Sequence, residues 1–178
     1  MSNATVTIQR RSDQSMVEAT LLRGMVSSDL LVVESEWAVE RSQMMQLMLK
    51  AGIARDQWPE SLHWDWRGKA PILKSLAVTG FGVTCEQRFQ GVMLTQTAPH
   101  QAKLPRDKGK PPVYVDFIEA APWNWVIPET NQPGKYRMIG SELLWSAVKQ
   151  SHEECHKSQV MPHGASRQSV FQFCSPKG

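Results

Sequence analysis

The chain has 178 residues, 41% of them hydrophobic and 21% charged, with a formal net charge of +3. That length can bury one ordinary core, the hydrophobic fraction excludes a disordered chain, and so mild a charge neither demands nucleic acid nor forbids it. No window approaches the roughly 18 apolar residues of a membrane span, and the polar start MSNATVTIQRRSDQS has no apolar signal-peptide core, so the expectation is one cytoplasmic domain over residues 1–178.

Three widely spaced cysteines, Cys85, Cys155 and Cys174, are odd in number and argue for free thiols over a disulfide framework. Residues 1–28 read as an N-terminal extension or first strand, with enough alternation over residues 4–9 for a short strand. Asp29 to Glu34 (DLLVVE) is a second short apolar run. Ser35 then caps a helix on which Trp37, Arg41, Met44 and Met48 recur at spacings of three and four, ending near Gly52. The tryptophan-rich, proline-broken DQWPESLHWDWRGKAP that follows reads as a connector packed by its rings, and Trp58, Trp64 and Trp66 are also candidates for the wall of an acceptor pocket.

From Gly80 the period becomes two. Phe81, Val83 and Cys85, a polar turn at Glu86 to Arg88, and Gly91 to Thr95 predict an antiparallel hairpin. Ala98 to Pro112 is a basic, proline-rich loop carrying Lys103, Arg106, Lys108 and Lys110. It has no interleaved aromatics, which argues against nucleic acid. Val113 to Ala120 (VYVDFIEA) is apolar enough on both faces to lie within a sheet. After a loop over Pro122 to Gly134, Ile139, Leu143, Leu144, Ala147 and Val148 share one helical face. A strand leading to a glycine-bearing helix start is a common phosphate cradle, because the first helical N–H groups are unpaired and point outward. Trp123 and Trp125 flank that turn, and Asn124 is placed to bond the loop backbone. Beyond Ser151 the periodicity decays.

His152-Glu153-Glu154-Cys155-His156 formally matches the zinc-peptidase pattern H-E-x-x-H. A catalytic zinc needs a third ligand, and no Asp or Glu follows Glu154. A polar helix end is the favoured reading and a zinc peptidase a remote alternative.

The order helix, hairpin, central strand, loop, turn, helix resembles the GNAT N-acetyltransferase superfamily. More narrowly it resembles a bacterial branch with an HWDW element (His63 to Trp66), a D/E-x-x-E-x-A-P-W-N strand end (Asp116 to Asn124) and a tyrosine-bearing cofactor turn (Lys135, Tyr136, Arg137, Met138, Ile139, Gly140). The resemblance covers roughly residues 30–157. It implies an α+β fold of three layers, a mixed and mostly antiparallel central sheet flanked by helices. It also implies acetyl-coenzyme A as cofactor, with Lys135 at the first position of the turn pattern, Gly140 at its last glycine, and the amides of Ile139 to Ser141 on the diphosphate.

Met138 stands where the family has a glycine, and would crowd the phosphates or turn the chain away from positive φ. The resemblance places the pantetheine arm along the main chain of Ile118 and Ala120 as an added strand. It leaves Glu119 and Asp116 as the nearest carboxylates for a base, on opposite sides of a regular strand. The family's C-terminal tyrosine, in a segment P-x-A-x-x-F-Y, falls on Gln172 after Phe171. Pro162 interrupts the strand before it, so residues 158–178 read as a diverged or truncated tail.

The implied activity is acetyl transfer to an unidentified small-molecule or peptide amine. The alternative is a catalytically impaired relative acting in ligand binding or protein interaction, and an open sheet edge would suit a homodimer or a partner strand.

Overall fold

The computed structural model describes residues 2–97 and 112–153, and the backbone of 159–162 and 171–172. The basic loop Ala98 to Lys110, His156 of the zinc pattern, Cys155 and Cys174 lie outside the described residues.

The chain opens with a hairpin, β1 (Ser2–Arg10) and β2 (Met16–Arg23), whose eight-pair register runs from Ser2↔Arg23 to Gln9↔Met16. The first strand matches the expectation over residues 4–9, while β2 was not anticipated. The next element corrects the reading of Asp29 to Glu34. It is not a strand but the first turns of a long helix, α1 (Ser27–Lys50). Ser35 is accordingly inside the helix, and the cap lies nine residues earlier: the Val26 amide donates to Asp29 Oδ2 at 2.8 Å. The β-branched pair Val32-Val33 misled because burial overrides propensity. Leu30, Val33, Trp37, Arg41, Met44 and Met48 form one buried stripe, with Leu31 and Val32 turned to solvent. The helix ends at Ala51, and Gly52 follows at φ +69°, as the C-terminal glycine requires.

A connector of short 3-10 turns and one helical turn, α2 (Trp66–Lys69), leads to β3 (Val78–Cys85) and β4 (Arg88–Gln96). Glu86 and Gln87 both adopt left-handed φ in the two-residue turn between these strands, the geometry of a tight hairpin. Then come β5 (Val113–Ala120), the two-residue β6 (Tyr136–Arg137), α3 (Ile139–Glu153), β7 (Gln159–Pro162) and β8 (Phe171–Gln172). They join one eight-stranded sheet in the order β6-β1-β2-β3-β4-β5-β7-β8, antiparallel except where β5 pairs β7 in parallel. The expected mixed, mostly antiparallel sheet flanked by helices is the architecture found.

Each face has its own core. Against Leu143 and Ala147 of α3 pack Ile8, Leu21, Phe81, Val83, Met93, Val113, Val115 and Tyr136. Against Trp37 of α1 pack Trp66, Phe89, Val92 and Leu94, with Phe117, Trp64 and Trp123 partly buried beside them.

One irregularity decides what β5 presents to each face. Leu94 pairs Phe117 but Thr95 pairs Val115, leaving Asp116 as an extra, bulged residue. Val113 and Val115 therefore meet α3, whereas Phe117 reaches the α1 side. Beyond the bulge Glu119 joins Phe117 on that side, beside Trp66 and Arg41, and Ile118 is brought to the α3 side, packed against its core.

α3 sits directly on this end of the sheet. A Cβ at Gly91 would lie 2.4 Å from Ile139 Cγ2 and 3.2 Å from the Glu119 carbonyl oxygen. Gly91→Ala is expected to lift the start of α3 and destabilise the fold by about 1–3 kcal/mol, read as a lowered urea midpoint; an unchanged midpoint would refute so close a contact.

Candidate active site

Three structural features meet where β5 ends. The first is an open strand edge. The described residues of β7 pair with Val113, Tyr114 and Val115, and among the described residues no strand continues the sheet beside Ile118 and Ala120. The Ala121 amide bonds the Gln90 carbonyl across the β4 side at 2.9 Å, and strand alternation turns the main-chain groups of Ile118 and Ala120 towards the outer edge. The Trp125 indole already donates to the Ala120 carbonyl at 2.9 Å. The amide of Ala120 and both groups of Ile118 are what the edge offers.

The second feature is the start of α3. The loop Pro122 to Gly134 is tied closed by Lys135 N to Trp123 O at 2.9 Å and by Tyr136 N to Asn124 Oδ1 at 2.9 Å. Asn124, expected to bond the loop backbone, accepts the Tyr136 amide at the loop's end and donates through Nδ2 to the Gln90 carbonyl of β4 at 3.1 Å. Gly134 stands at φ +72°, where a Cβ would come within 2.6 Å of the Asn124 carbonyl.

Met138 then takes φ +75°, with its side chain exposed and its carbonyl accepting the Glu142 amide at 3.0 Å. The expectation that methionine would turn the chain away from positive φ is corrected: the left-handed turn is kept, and tolerates the side chain by sending it into solvent. Methionine has no oxygen with which to cap the amides of Ile139, Gly140 and Ser141, and Gly140 has nothing within 4 Å of a built Cβ. The helix therefore starts without a side-chain cap from the residue that precedes it, and with open space at Gly140.

The side chains of the turn are less available than its main chain. Tyr136 is buried in the α3-side core with its hydroxyl 3.9 Å from Cys85 Sγ, and burial pushes its pKa up. Lys135 Nζ is held by Glu86 at 2.6 Å, and Arg137 bonds Gln9. Both cations stand at the β1 edge, already partnered.

The third feature is a buried carboxylate network on the α1 side. Glu119 accepts the Trp66 indole N–H at 2.5 Å through Oε2, with Arg41 Nη2 3.8 Å from the same oxygen. Arg41 Nη1 also bonds Glu34 Oε1 at 3.1 Å, and Glu34 Oε2 accepts the Trp66 amide at 2.8 Å. Glu119 is 4% exposed, and its Oε1 has no hydrogen bond of full geometry. Burial raises its pKa to about 7, against the opposing pull of Trp66, Arg41 and Ser61. Such a carboxyl can hold or release a proton near neutrality.

Asp116 is half-buried at the bulge. Regular alternation predicts that it and Glu119 face opposite sides, yet both act electrostatically on the same Lys69 ammonium. Of the residues around Glu119, Arg41 and Trp66 were legible as a helical stripe residue and a ring in the connector; their joint role was not. Glu34 carried no signal beyond its place seven residues before Arg41. In the zinc pattern, Glu153 bonds Arg23, and no group of three His, Cys, Asp or Glu converges on a metal-sized site among the described residues.

No protein-family model and no curated protein matches the sequence. Solved structures similar to this chain include a predicted acetyltransferase from Clostridium acetobutylicum with acetyl-CoA, at 9% identity and TM-score 0.47 over 88% of this chain and 96% of that one. An aminoglycoside acetyltransferase from an uncultured soil metagenomic sample is similar in its trehalose complex (16% identity, TM-score 0.39) and in its sisomicin complex (14%, 0.41), each over 89% of this chain and 97% of that one. None of these overlaps transfers a substrate or a residue role to this chain.

Two outcomes are expected of the site's own strain and charge. Glu119 binds its proton more tightly folded than unfolded, so its contribution is fully present below about pH 4.5 and is lost as pH rises to about 7, roughly 3 kcal/mol in all. Glu119→Gln should flatten the stability profile between pH 5 and 8 in urea melts; a wild-type profile in the variant would contradict the raised pKa. Met138→Gly should stabilise the protein by about 1 kcal/mol by relieving the left-handed methionine, and a destabilised variant would contradict that backbone.

Proposed function

We propose that the chain is an acetyl-coenzyme A-dependent N-acetyltransferase acting on a small-molecule or peptide amine. The observation that carries this reading is the end of β5: among the described residues no strand pairs with Ile118 or Ala120, and α3, opening with the amides of Ile139, Gly140 and Ser141, starts against this same end of the sheet. An extended amide-bearing arm ending in a diphosphate is a ligand that needs both. The edge can bond the arm through Ile118 and the Ala120 amide as an added strand. The helix start can take the phosphates through N–H groups and the positive end of the helix dipole, with open space before Gly140.

The donor set fits the coenzyme, although Lys135 and Arg137 are engaged with Glu86 and Gln9 and the attraction rests on the main chain. Bound acetyl-coenzyme A would supply an activated thioester. The chain's part is to hold the amine free of its proton beside the thioester. Glu119, with a pKa of about 7, is the base on this reading. It accepts the proton through Oε1, its oxygen without a hydrogen bond, by way of a relayed water, while Trp66 and Arg41 fix Oε2. Asp116 is the second carboxylate of the same space. Gln172 stands where the resembled family has its proton-donating tyrosine, and the backbone of Phe171 and Gln172 is a short strand on β7 rather than part of a helix. The leaving thiolate on this reading takes its proton from solvent.

Calorimetric titration with acetyl-coenzyme A, followed by thiol release with mixed amines, tests the proposal. Binding with a thiol-release rate that rises through about pH 7 is expected. Binding without turnover would favour a ligand-binding relative, and absence of binding would sink both. Gly140→Val should leave folding intact, since a Cβ there meets nothing within 4 Å, and weaken coenzyme binding at least ~10-fold by losing about 1.4 kcal/mol or more; unchanged affinity would refute the placement of the phosphates.

A further inference from the structure

We propose that Lys69 is a self-acetylation site, a lysine of the chain seated where an acceptor amine belongs; this rests on the acetyltransferase reading above. Lys69 is the last residue of α2 and does not extend into solvent as an ordinary surface lysine does. Its Nζ lies 4.2 Å from the centroid of the Phe117 ring, 5.3 Å from Trp64 and 6.0 Å from Trp66. The three rings are packed edge to face, with centroids 5.2 to 6.4 Å apart. They form a wall whose faces favour a cation.

The charged groups acting on the ammonium are Asp65, Glu119 and Asp116, which hold it, and Arg41, which repels it. Two of these carboxylates are the candidate bases of the site. Phe117 lies between the bulge residue Asp116 and Ile118, whose main chain forms the open edge. The amine is thus held against Phe117, the neighbour of Ile118, whose main chain would receive the arm of the coenzyme. Burial outweighs the carboxylates and lowers the Lys69 pKa, so its neutral, nucleophilic form is commoner near neutrality than that of an exposed lysine.

The chemistry balances without a further reagent. One proton of the ammonium passes to Glu119 or Asp116. The nitrogen lone pair then forms a C–N bond to the thioester carbonyl, and the C–S bond breaks with its electron pair leaving on sulfur. The second N–H proton is lost as the thiolate is protonated. The products are Nε-acetyl-Lys69, free coenzyme A thiol and one released proton. Acetylation removes the positive charge, and with it the attraction to Phe117 and Trp64.

The whole chain is incubated with acetyl-coenzyme A at pH 7.5, and peptides are mapped by mass spectrometry over time while calorimetry follows coenzyme binding. Lys69 is expected to gain 42 Da at least ~10-fold faster than the exposed Lys50 and Lys74, and Glu119→Gln to bring Lys69 towards their rate. A separate arm needs no coenzyme: trace labelling with acetic anhydride across pH should show Lys69 titrating below the ordinary lysine range. Coenzyme binding with Lys69 acetylated no faster than Lys74 would overturn this proposal and leave the acetyltransferase reading standing. Absence of coenzyme binding would overturn both, and a Lys69 that titrates within the ordinary lysine range would overturn the proposed nucleophile.

Discussion

The constraint on which the site depends is a single extra residue. A strand alternates strictly, so one bulged residue exchanges the faces of everything beyond it. Before Asp116, β5 gives Val113 and Val115 to the core under α3; beyond it, Phe117 turns to the core under α1. Without the bulge Glu119 would point into the apolar side that holds Met93 and Leu143, where an ionisable group has no partner. With it, Glu119 meets Trp66 and Arg41.

Burying Arg41 between Glu34 and Glu119 is costly, because desolvation of three charges is repaid only where geometry and hydrogen bonds are good. Here the repayment is uneven. Glu34 is satisfied by Arg41 and the Trp66 amide, while Arg41 Nε, Arg41 Nη2 and Glu119 Oε1 lack full hydrogen bonds. An under-satisfied carboxyl in a dry site titrates high, which is poor for stability and useful for proton transfer. Around it, Gln90 fastens the loop that delivers α3. This residue is itself bulged out of the β3–β4 register, accepts the Trp123 indole at 2.8 Å and donates to the Cys85 carbonyl at 3.1 Å.

Elements with clean periodicity were legible in the sequence: the β3–β4 hairpin, β5 and α3 all fall within a few residues of their expected bounds. The start of α1 was not, because DLLVVE carries β-branched residues whose burial pattern becomes helical only when counted through to Met48. Bulges are harder still. Nothing in VYVDFIEA marks Asp116 as the extra residue, since a one-residue register shift is set by the partner strand and not by the strand's own sequence. The chemistry of Glu119 was legible as a candidate from the run ending in APWN, but its partners come from positions 34, 41 and 66. Met138 illustrates the opposite error: its side chain argued against a left-handed turn that the closed loop behind it imposes.

The central claim is that the outer edge of β5 and the first amides of α3 form one continuous surface for an amide-bearing, diphosphate-bearing ligand. Amide chemical shifts recorded during titration with acetyl-coenzyme A test it most directly. The account predicts saturable shifts concentrated at Ile118, Ala120, Ile139, Gly140 and Ser141. Shifts absent from these five amides at saturating ligand, or confined to a different face of the sheet, would contradict it.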